Sequence, residues 1–84
     1  MITNDLIIDM IKGHCERAQE RYGDFASSHE ALGVALEEFN ELQSAVHAND
    51  LKAVAEEAID VAAVMVRLAL QCWTSKALQE RSQK

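Results

Sequence analysis

The chain has no proline, three glycines and four aromatic residues in 84 positions. Without proline nothing breaks a helix from inside, and no stretch alternates apolar and polar residues with the period of a strand. The expectation is an all-α domain. Cysteine is nearly absent as well: Cys15 and Cys72 are too few for a disulfide framework, and both sit among apolar neighbours, which reads as buried free thiols in a reducing cytoplasm. Positive charge is scarce. Eight Lys and Arg against 14 Asp and Glu give a formal charge of −6, so there is no electrostatic footprint for DNA or RNA, and an anionic substrate would need a metal bridge. Long apolar runs are lacking too: the best one, Ala58 to Trp73, is interrupted by Asp60, Arg67 and Gln71 and is too short and polar to span a membrane. Asp5 and Asp9 stand where a secretory leader would be basic, so no signal peptide is expected.

One domain, residues 1–84, is all that this length permits. A chain of this size buries only roughly 60% of its unfolded surface, so a homo-oligomer, dimer or tetramer, is expected to supply the missing burial. Three main helices are predicted. The first starts after Thr3 or Asn4 and runs to Tyr22, with Ile7, Ile11, Cys15, Ala18 and Tyr22 on one side and Gly23 as its stop. Ser27-x-x-Glu30 is a capping box that opens a second helix reaching about Ala48, and Asn49-Asp50 provides a turn and the cap of a third, Leu51 to about Trp73. Thr74 or Ser75 would cap a short fourth helix holding Ala77 and Leu78, followed by a frayed tail at 81–84. On the second helix the 3.6-residue period picks out Leu32, Ala35, Leu36, Phe39, Leu42 and Val46 as the core stripe.

Two acidic pairs stand out against this background. Glu38-x-x-Glu41 flanks that stripe, and Glu57-x-x-Asp60 lies at the start of the most apolar helix, where Glu57, Asp60, Val64, Arg67 and Gln71 fall within ~80° of one another on a helical wheel. Carboxylates three apart project from one face about a turn from each other, so two pairs on facing helices make an oxygen cage. Like-charge crowding of that kind is relieved by a hard divalent cation such as Mg²⁺, with Mn²⁺ as a substitute, whose natural ligand is a phosphate chain. Each pair also has an ordinary reading. Acidic pairs at this spacing are frequent on exposed helices, and Asp60 with Arg67 would make a buried salt-bridge network that fixes packing.

Taken together, Glu38-x-x-Glu41, 15 intervening residues and Glu57-x-x-Asp60, within the strings HEALGVALEEFNEL and EEAIDVAAVMVRLA, resemble the signature of the MazG-like all-alpha nucleoside triphosphate pyrophosphohydrolases. The resemblance covers about half of the chain, from His29 to Leu70. It implies a four-helix core completed by homo-oligomerisation, Mg²⁺ held by Glu38, Glu41, Glu57 and Asp60, and cleavage of a nucleoside triphosphate to the monophosphate and pyrophosphate. Phosphoribosyl-ATP pyrophosphohydrolase is a lower-ranked relative, because its basic segment before the first acidic pair is missing here. Under this reading Glu38 is the first choice of general base and Glu37 the second. Arg67 becomes a phosphate clamp, or else the counter-ion of Asp60. Phe25, Tyr22 and Trp73 are the stacking candidates, Phe25 being the favoured pocket residue and Trp73 the one expected in a core or subunit interface. His29 faces either the substrate or solvent. Outside the enzyme class the alternative is a non-catalytic helical interaction module. A di-iron bundle is disfavoured because no Glu has a His three residues later, and a Cys15-His14 nucleophile pair because neighbours in sequence point to different helix faces.

Overall fold

In the computed structural model, which describes residues 1–75, the chain forms three helices: α1 (Asn4–Tyr22), α2 (Ser28–His47) and α3 (Leu51–Trp73). No strand occurs among the described residues. The expected fourth helix at Ala77 and Leu78 and the tail at 81–84 lie outside them.

Local chemistry accounts for the helix boundaries as far as the start of α3. The Thr3 hydroxyl accepts from Leu6 N at 3.2 Å to open α1. Gly23 closes it at φ 72°, a conformation that costs glycine nothing, and donates its N–H to Gln19 O at 2.8 Å. At the start of α2 the Ser27 hydroxyl accepts from Glu30 N at 3.1 Å, while the Glu30 carboxylate reaches back to Ala26 N at 3.3 Å rather than to Ser27 N. The capping box therefore closes one residue earlier than its usual form. Asn49 takes the left-handed φ of 56° in the turn, and the Asp50 carboxylate accepts from Ala53 N at 3.1 Å to begin α3.

Helix α3 is the centre of the fold. Both α1 and α2 pack on it, and their own backbones stay more than 8 Å apart, Cα to Cα. Phe25, Ala31 and Val64 form the buried cluster, with Val34, Ala35 and Leu68 against it; Ala45 and Ala63 are the other buried apolar residues. No large side chain is fully buried among the described residues.

The packing corrects the core stripe expected for α2. Leu32, Leu36, Phe39 and Val46 are each at least half exposed, Phe39 at 57%, while Ala35 and Leu42 of the expected stripe are half-buried and share the docked face with Ala31, Val34, Glu38 and Ala45. The physical reason is steric. Alanines at both ends of that stripe let the helices approach closely, and a helix with two apolar stripes can give only one of them to α3. One further expectation is corrected: Cys72 is exposed, not buried, whereas Cys15 is half-buried and donates to Ala63 O at 3.5 Å. Tyr22 and Trp73 are about 70% exposed, so of the two places expected for Trp73 the core of a single chain is not where it lies.

Candidate functional site

The docked stripe of α2 carries Glu38 and Glu41 onto the face of α3 that carries Glu57. One carboxylate oxygen from each of these three residues lies within 4.8 Å of the other two. Glu38 and Glu57 are half-buried and Glu41 is exposed. Asp60, one turn further along α3, is not part of this close set of three, so the expected four-carboxylate cage is formed by three of its members. The Asp60 Oδ1 lies 2.7 Å from His14 Nε2, contributed by α1.

Crowding sets the electrostatics. Burial, and after it the negative charges of Glu41, Asp60 and Glu38, push the Glu57 carboxyl from its ordinary 4.5 up to about 7. Glu38 is also raised, by burial first and then by Glu41 and Asp60, while a hydrogen bond with Glu57 pulls it partly back. Without a cation, the triad therefore holds a proton near neutral pH. The Oε2 atoms of both Glu38 and Glu57 are buried with no hydrogen-bond partner. Leaving charged oxygens in that state is unfavourable, and an all-oxygen donor set with unused lone pairs fits a hard divalent cation.

The other half of the polar stripe of α3 serves a different purpose. The Arg67 guanidinium donates to Gly23 O at 2.9 Å and lies 4.5 Å above the Phe25 ring. Gln71 brackets the Phe25 backbone, accepting from its N–H at 2.9 Å and donating to its carbonyl at 2.8 Å. Together they hold the loop between α1 and α2 against α3. The partner of Asp60 is thus His14, not Arg67.

Between this loop, α1 and the acids lies a cleft of about 330 Å³, lined by His14, Tyr22, Phe25, Glu30, Val34, Glu38, Asp60, Val64 and Arg67 among others. Phe25, only 7% exposed, forms part of its floor with Arg67 stacked on the ring. A more open groove of about 580 Å³ between α1 and the first half of α3 shares His14 and Asp60 as walls. The His14–Asp60 pair is therefore the partition between the two.

Of the residues singled out in the sequence, the structure brings together Glu38, Glu41 and Glu57, sets Asp60 alongside, and places Phe25 and Arg67 in the cleft wall. Glu37 and His29 are exposed and line neither cavity. Sequence reasoning missed His14 and the role of Gln71. The signal for His14 was present, since it lies three residues after Ile11 and four before Ala18, a polar group on the apolar face of α1. For Gln71 it was membership of the stripe of Arg67. No family model, no curated protein and no solved structure matches the chain.

Proposed function

We propose that the chain is a Mg²⁺-dependent nucleoside triphosphate pyrophosphohydrolase of MazG-like type that works as a homo-oligomer. The observation that carries this reading is the carboxylate triad on opposing helices, with buried oxygens on Glu38 and Glu57 that no protein group satisfies. Glu38, Glu41, Glu57 and Asp60 hold the cation. When bound, it supplies charge neutralisation for a phosphate chain and lowers the pKa of water at the site. Glu38, which lines the cleft, takes the proton from the attacking water. Attack on the α-phosphorus breaks its bond to the bridging oxygen, giving the monophosphate and pyrophosphate. Arg67 has one donor committed to Gly23 and keeps others for phosphate oxygens, and the cleft volume is at the lower end for small-molecule sites, roughly 300–1,000 Å³. Glu37 is outside the cleft, so Glu38 is the preferred base.

Oligomerisation follows from what one copy leaves uncovered. Leu32, Leu36, Phe39 and Val46 on α2 and Met65, Val66, Leu70 and Trp73 on α3 are exposed and form faces that a second copy would bury, completing a four-helix core. No helix among the described residues is long and apolar enough to cross a membrane. Two unpaired cysteines suit a reducing cytoplasm. The same apolar faces favour a second reading, a non-catalytic module that docks another protein.

The test is release of pyrophosphate and monophosphate from a panel of ribo- and deoxyribonucleoside triphosphates, with Mg²⁺ and with EDTA, and with Asp60→Asn as control. Metal-dependent release that the variant loses supports the enzyme and ranks the bases. No release from any triphosphate by a folded oligomer favours the module.

A further inference from the structure

The pair between His14 and Asp60 joins α1 to the acidic site, and it is the only ion pair between helices among the described residues. A carboxylate accepts and does not donate, so the 2.7 Å contact places the shared hydrogen on Nε2 of the imidazole. Nδ1 is buried with no partner. The Asp60 contact is therefore the one hydrogen bond that orients the ring. The imidazole in turn engages Oδ1, so it fixes the orientation of the carboxylate that lies one turn from Glu57 on α3.

We propose that His14 is a positioning residue for Asp60. By holding one oxygen of this carboxylate from α1, it sets the orientation in which Asp60 is offered to a divalent cation held by Glu38, Glu41 and Glu57. The inference rests on the metal-dependent reading of the site. Carboxylate ligands are commonly held by a hydrogen-bonded outer partner, and loss of such a partner typically weakens metal binding about 10–100-fold. The opposite sign is physically available, because a group already bonded to Asp60 also competes with a cation for it. The experiment separates the two.

Mn²⁺ binding is measured by calorimetry at pH 8 on the wild-type chain, His14→Gln, whose amide nitrogen reaches about as far as Nε2, and the donorless His14→Ala and His14→Leu, with melting temperatures in EDTA recorded for all four. The expected result is Mn²⁺ affinity about 10-fold weaker in the donorless variants and within about threefold of wild type in His14→Gln. The Mg²⁺ concentration for half-maximal turnover moves in parallel. Equal or tighter binding by His14→Ala or His14→Leu overturns the inference and makes His14 a competitor. Equal losses in His14→Gln and in a folded donorless variant overturn it too, since the donor would then be irrelevant. If the wild-type chain binds no Mn²⁺, the metal reading and this inference fall together; if it binds and the variants match it, only the inference falls.

Discussion

Replacing Glu57 by glutamine removes one charge from the triad and changes almost no volume, so it isolates the electrostatic cost of the site. The carboxyl moves from its ordinary 4.5 to about 7 in the folded chain. Between those values the native state binds more protons than the unfolded state, so the stability of the metal-free chain falls as pH rises through that window and levels off above it. The ceiling for such a shift is about 3 kcal/mol. Glu57 is only half-buried, and solvent screening brings the expected effect to about 1–2 kcal/mol. At pH 8 in EDTA, Glu57→Gln should therefore be more stable than wild type by that amount, about 5–10 °C in melting temperature. At pH 4.5 to 5, where the wild-type carboxyl is protonated and nearly isosteric with the amide, the two should melt within a few degrees of each other. Mg²⁺ reverses the order at pH 8. A cation at a hundred times its dissociation constant adds about 2.7 kcal/mol to the wild type and much less to the variant. Thermal melts by circular dichroism at both pH values, with EDTA or Mg²⁺, decide the matter. A variant less stable than wild type at pH 8 in EDTA, or the same stability difference at both pH values, would refute the argument that these carboxyls repel one another.

Three further outcomes are expected from other parts of the chain. Gln71→Leu removes both hydrogen bonds to the Phe25 backbone and should cost about 1–3 kcal/mol, with faster amide exchange at Phe25 than in the middle of α3. Phe39→Glu places a charge on the exposed stripe of α2; if the proposed oligomer uses this stripe, sedimentation should show the wild type above 9.3 kDa and the variant at that monomer mass, and a wild type already at 9.3 kDa would refute the oligomer. Ser27→Ala deletes the acceptor for Glu30 N at the head of α2, and denaturant unfolding should register a loss of about 1 kcal/mol.

Much of this architecture was legible in the sequence because its signals are local. Thr3, Gly23, Ser27 and Asp50 each satisfy or terminate backbone groups within four residues of themselves, so their positions fix the helix ends whatever the tertiary structure does. The choice between the two stripes of α2 was not local. Periodicity finds apolar faces and favours the larger side chains, but α3 takes the alanine-lined stripe, and the carboxylates come with it. The partnership of Asp60 was not legible either. Arg67 shares its helix face, yet a neighbour on one face two turns away competes with a residue brought in from another helix, and His14 wins that contact. The guanidinium is turned instead to the carbonyl of Gly23 and the ring of Phe25.

Those two outcomes have one origin. The polar stripe of α3 runs through Glu57, Asp60, Val64, Arg67 and Gln71 at alternating spacings of three and four residues, which keeps it on one face for about 20 Å. Each of its polar groups meets a different part of the chain: Glu57 the acids of α2, Asp60 the histidine of α1, and Arg67 and Gln71 the intervening loop. Because the backbones of α1 and α2 do not approach each other, packing on α3 is what brings their side chains to a common cleft. A polar row in the middle of an apolar helix carries a desolvation cost along its whole length, and here hydrogen bonds offset it at the C-terminal half. At the N-terminal half the offset is incomplete, since Glu57 and Glu38 keep buried oxygens without partners. The unsatisfied end of the stripe, rather than the acidic composition, is therefore where a ligand has the most to contribute.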